Sequence, residues 1–167
     1  MFVCNKLFAA YLFKDYKFNT NITFGEDMIV CTDIFDKTDK VAYGPLGKYY
    51  YVENNASATK KTFYIKKLTY FKAAEYVLEY AKRNSLNTLI YEIKGQICYH
   101  AVGFLRQIII ADYKNKEVIS DLQNKVRKGI FKHLFSKHKT SNKLFALTCC
   151  INFNLAAWIY KSLNKVK

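Results

Sequence analysis

Asn87-Thr-Leu-Ile-Tyr-Glu-Ile-Lys94-Gly95-Gln96-Ile-Cys-Tyr-His-Ala-Val-Gly-Phe-Leu-Arg106-Gln107-Ile-Ile-Ile-Ala-Asp112 is the stretch on which the fold turns. It is crowded with Ile, Val, Tyr and Phe, the residues that suit a pleated, half-buried surface. Lys94-Gly95 breaks the run where a tight turn would sit. The reading is three consecutive strands, 87–93, 96–105 and 107–112, paired as an antiparallel meander.

Working outward, Phe71, Ala74, Val77, Leu78 and Ala81 recur at helical spacing behind Thr69, which has the chemistry of an N-cap. Residues 116–137 form a second amphipathic helix, with Val118, Ile119, Leu122, Val126, Ile130 and Leu134 inward and Lys125, Lys128 and Lys132 on another face. A buried strand at 143–151 and a short helix at 154–163 follow. Upstream, 2–13 has helical spacing and 27–35 reads as a strand. Residues 40–53 read as a hairpin turning at Tyr43-Gly44-Pro45-Leu46-Gly47, and 61–67 as a further strand. The expected fold class is therefore α/β (α+β): a central mixed, mostly antiparallel sheet flanked by helices, in a single domain over 1–167. Residues 1–68 would be its strand-rich part and 69–167 its core.

From residue 107 to 163 the order of elements and the local wording resemble the GCN5-related N-acetyltransferase family. In that family a strand enters a loop, Arg/Gln-x-x-Gly-x-Gly/Ala, that opens a helix and holds the pyrophosphate of acetyl-CoA on backbone N–H groups. The resemblance places Tyr113, Lys114 and Lys116 at that loop. It maps Tyr160 onto the general acid for the departing thiolate, with Asn152 or Asn154 as the accompanying asparagine. Glu117 and Ile119 stand where the family has its glycines, and a carboxylate there repels phosphate. The resemblance thus implies an acetyltransferase-like domain that no longer needs acetyl-CoA and acts as a non-catalytic binding or structural protein. An active N-acyltransferase using acetyl-CoA, with Tyr160 catalytic and Tyr113, Lys114, Lys116 and Asn154 on the cofactor, is the alternative.

Charge opens a third reading. The 167 residues carry 27 Lys and Arg against 13 Asp and Glu, a net +14 that attracts polyanions at long range. Lys125, Lys128 and Lys132, with Tyr49 and Tyr51 to stack on bases, would make a nucleic-acid-binding module. The excess of Lys with Asn, Tyr, Phe and Ile is also the usage of an AT-rich genome, such as that of a bacterium, phage or large virus. Five cysteines without a CxxC pair imply neither a disulfide framework nor zinc. His133 and His138 lie five apart, which is not the helical pairing of a metal site, and no metal is expected. No membrane span or signal peptide is read. The expected location is cytoplasmic, or the virion if the chain is viral, and the expected partner a protein or a polyanion such as nucleic acid, with no membrane.

Overall fold

The computed structural model describes residues 3, 5–14, 16–45, 47, 49–50, 52 and 62–164, and among them every regular element is a helix. The chain divides into two compact units, Met1–Ser85 and Leu86–Lys167. With no strand and no sheet among the described residues, the expected α/β class and the acetyltransferase likeness are both overturned.

The first unit holds α1 (Glu26–Asp36) and α2 (Thr69–Arg83), with short 3₁₀ turns at Ala10–Phe13 and Ile65–Leu68. Residues 27–35, expected as a strand, lie inside α1, which buries Met28, Val30, Cys31, Thr32 and Ile34. Gly25 opens α1 at φ 89°, and a Cβ there would stand 2.8 Å from that of Ala73. Glycine is needed both for the left-handed backbone and for the close approach to α2. Thr69 is the first residue of α2 rather than its cap. Its Oγ1 accepts from the backbone N–H groups of Thr23 and Phe24 and donates to the Lys66 carbonyl, so it fastens the chain leading into α1. Tyr76 and Tyr16 both donate to the Asp33 carboxylate, at 2.5 and 3.1 Å, and Tyr80 donates to Asp36 at 2.6 Å. The helical spacing of 2–13 is met only by the turn at Ala10–Phe13. The hairpin over 40–53 shows no strand where it is described, and the strand at 61–67 is replaced by the second 3₁₀ turn; Phe2, Cys4, Leu46, Lys48, Tyr51, Glu53 and Lys61 lie outside the described residues.

The second unit is a bundle of α3 (Asn87–Ile110), α4 (Lys116–Leu134), α5 (Thr140–Ile151) and α6 (Phe153–Asn164). The three-stranded meander is in fact one helix, α3. Among its buried residues, Cys98, Ala101, Val102, Leu105, Ile108 and Ile109 recur at helical spacing on the side that packs against α4 to α6. Gly95 makes no turn: it lies under the Lys132 side chain of α4. Gly129 of α4 lies so close to Cys98 of α3 that any Cβ would collide with it, which lets the two longest helices meet at close range. The expected strand at 143–151 is α5, which buries Phe145, Ala146 and Cys149. Asn115 and Asn152 cap α4 and α6 by accepting from the backbone N–H groups of Val118 and Leu155. No described helix is long and apolar enough to cross a membrane.

The four described cysteines are free. Burial raises all of their thiol pKa values, and pushes those of Cys98 and Cys149 up to about 12.

Candidate functional site

Tyr113, Lys114, Lys116 and Asn154, expected around a cofactor loop, do come together in the bundle, but for another reason. They line a cavity of about 370 Å³ between the end of α3, the start of α4 and the start of α6. Ile108, Ile109, Ile119, Phe153 and Ala157 make its apolar part. Asp112, at φ 48°, ends α3 beside it. Its carboxylate lies 3.0 Å from Lys114 Nζ and 3.7 Å from Lys161 Nζ, and the hydrogen bond and charge of Lys114 hold its pKa below the ordinary value. No strand leads into α4, and Asn115 already caps its first turn, so the pyrophosphate loop of the acetyltransferase pattern does not exist here.

Tyr160 does not line that cavity. Its ring meets Phe145 edge-on at 5.6 Å, on the α5 side of α6. Two of the three lysines assigned to nucleic acid are engaged within the bundle. Lys125 Nζ pairs with Asp121 at 2.8 Å, one helical turn back. Lys132 Nζ sits 3.4 Å from the centroid of the Tyr91 ring, bonds to the Tyr91 carbonyl and lies 3.5 Å from Glu92. Lys128 is exposed. Tyr49 is half-exposed in the first unit, apart in sequence from these lysines, and Tyr51 lies outside the described residues.

The larger feature is the distribution of charge. The second unit carries 14 Lys and Arg against four Asp and Glu, a net +10 of the total +14. Asp121 is its last acidic side chain: residues 122–167 hold ten Lys and Arg and no carboxylate side chain. Over the same region large apolar side chains face outward. Leu144, Leu147 and Ile151 share one face of α5, and Leu155 and Trp158 one face of α6, with Ile151 and Trp158 77% and 68% exposed. On α4, Lys128 is exposed at helical spacing from Phe131 and from Phe135 just past the helix, whereas Arg127 donates to the Cys150 carbonyl and to Asn124 Oδ1. Sequence reasoning took the apolar residues of 143–151 as core, because a strand buried on both faces accounts for every one of them.

The three histidines converge as well. The His133 and His138 rings are 5.1 Å apart, and His138 stacks on Tyr99 at 4.5 Å. Among the described residues no group of three His, Cys, Asp or Glu is placed to hold a metal ion. Comparison with protein-family models, with curated proteins and with solved structures finds no match, so the geometry itself carries the functional reading.

Proposed function

We propose that the second unit is a binding module for an anionic surface, and that the surface is that of a membrane bearing anionic lipid. The observation that carries this is the acid-free run from residue 122 onward, in which the cations of residues 125–143 are followed by outward-facing Leu144, Leu147, Ile151, Leu155 and Trp158. A basic helical face with Trp and Leu beside it settles at a headgroup boundary, where the cations meet phosphates and the apolar side chains leave water. Leu144, Ile151 and Leu155 gain nothing from a nucleic acid, which offers stacking and phosphate contacts but no apolar medium. This is contact with a membrane's face and needs no spanning helix.

Nucleic acid is the second reading, favoured by one observation: the exposed Lys128 next to the exposed rings of Phe131 and, just past the end of α4, Phe135.

The test uses the chain's one tryptophan, Trp158. Phosphatidylcholine vesicles containing phosphatidylglycerol should co-sediment with the protein and shift Trp158 emission to the blue, whereas pure phosphatidylcholine vesicles should do neither. The exposed pair Lys137→Gln and Lys139→Gln should weaken binding by about 2 kcal/mol, roughly thirtyfold. Equal binding to neutral vesicles, or none to either, would sink the proposal. A salt-sensitive shift with an oligonucleotide in its place would transfer the function to the α4 face.

A further inference from the structure

A second cavity in the bundle, of about 210 Å³, is polar where the first is apolar. It is lined by Tyr99, His100, Arg106 and Gln107 of α3, His133 of α4 and Asn142 of α5. Two of these groups are at odds with their surroundings. His133 is 2% exposed and its Nε2 is buried without a hydrogen-bond partner among the described residues. Arg106 Nε is likewise buried and unpartnered. The Arg106 guanidinium lies 4.7 Å above the Phe145 ring, which holds it at the cavity, and no carboxylate lines the space. A half-buried arginine with no anion beside it bears a desolvation cost that the Phe145 ring offsets only in part.

We infer that this cavity is a binding site for a small oxyanion of the phosphate class, held between the Arg106 guanidinium and His133 Nε2. The guanidinium fork matches the geometry of a phosphate oxygen pair, and a histidine Nε2–H supplies a third donor. The volume falls below the roughly 300–1,000 Å³ of drug-sized pockets, so the site takes an isolated phosphate or the end of a phosphomonoester rather than a whole nucleotide. The charges around it set the linkage. Burial lowers the His133 pKa first, and the nearby His138, Arg106 and Lys143 lower it further, against a backbone hydrogen bond at Asn142. Burial depresses His100 to about 4. Tyr99 and Gln107 of α3 and Tyr160 of α6 add no positive charge. An anion in the cavity opposes the depression at His133, so its arrival draws a proton onto that ring and binding strengthens as pH falls through the His133 range. This inference stands apart from the membrane reading, since it uses none of the exposed lysines or apolar side chains invoked there.

The experiment titrates the full chain with sulfate, which has the shape and charge of a phosphate dianion but does not itself titrate near neutrality. The His133 ring resonances are followed by NMR at several pH values. A saturable shift is expected, tighter at pH 6 than at pH 8, weakened at least tenfold in Arg106→Gln and unchanged in the exposed-site variant Lys94→Gln. No saturable shift would overturn the site. So would an equal response in Arg106→Gln, or one that sodium chloride reproduces at matched ionic strength, the mark of an adventitious ion only. Should Arg106→Gln fail to fold, the wild type still decides: a His133 titration midpoint that sulfate leaves in place overturns the inference.

Discussion

Asp33 concentrates the polar chemistry of the first unit on one carboxylate. It accepts from both Tyr16 and Tyr76, and the pKa of each phenol rises from 10.0 to about 12. Burial leads at Tyr16 and the hydrogen bond to Asp33 leads at Tyr76, because an ionised phenolate would face a carboxylate at close range. The sign follows: below pH 10 both states hold the phenolic protons and the contact contributes fully. Between pH 10 and 12 the unfolded chain releases them while the folded one retains them, so stability falls across that window. A plot of Tm against pH should therefore drop above pH 10, and the double variant Tyr16→Phe, Tyr76→Phe should flatten the drop. At the same scale, a lone cation in an apolar run, Phe104-Leu-Arg106-Gln-Ile-Ile-Ile110, was the available sign of the oxyanion cavity. It went unread because Arg106 fell at the junction between two expected strands, 96–105 and 107–112, where a turn would have sent it to solvent. Tyr113, Lys114, Lys116 and Asn154 were legible as a group, since residues at helix ends gather in either fold, but their cofactor was inferred from a strand that is not there.

Helices whose polar faces are intact were legible from spacing alone. The helix behind Thr69 is α2, the helix from 116 is α4 and the helix near 154 is α6, each agreeing with its expected span to within about three residues. The helices rich in buried apolar residues were not. In α3 and α5 apolar side chains appear on nearly every side, part against neighbours and part outward, and so many Ile and aromatic residues erase the contrast on which periodicity depends. Glycine added to the error, because Gly95 marks helix-to-helix proximity instead of a turn. Two substitutions separate those meanings. Gly103 of α3 has open space where a Cβ would go, so Gly103→Ala should stabilise by about 1 kcal/mol through helix propensity. Gly129 has the Cys98 side chain there, so Gly129→Val should cost about 1–3 kcal/mol by overpacking, despite leaving the helix no glycine. Urea midpoints of the two variants should move in opposite directions.

At the scale of the molecule, the charge is divided unevenly, +4 in the first unit and +10 in the second. The net value of +14 was plain from composition, but its concentration beyond Asp121 becomes a surface property only once α5 and α6 turn apolar side chains outward beside it. Two forces then act together and can be told apart by salt. The Debye length shrinks from about 10 Å at 0.1 M to about 3 Å at 1 M, which removes the attraction of exposed lysines to lipid phosphates. Vesicle binding should therefore weaken steeply with salt yet leave a remnant carried by Ile151, Leu155 and Trp158, whereas purely electrostatic adhesion would vanish.

The buried cysteines give the chain a built-in clock. A thiol held in its protonated form within a closed bundle does not react with iodoacetamide, because only the exposed thiolate is nucleophilic. Each alkylation event at Cys98 or Cys149 therefore counts one opening of the second unit, and each at Cys31 one opening of the first. Half-buried Cys150 should be labelled ahead of Cys98 and Cys149. Equal rates at Cys31 and Cys98 would mean that the two halves come apart as one cooperative body, and unequal rates that each keeps its own time.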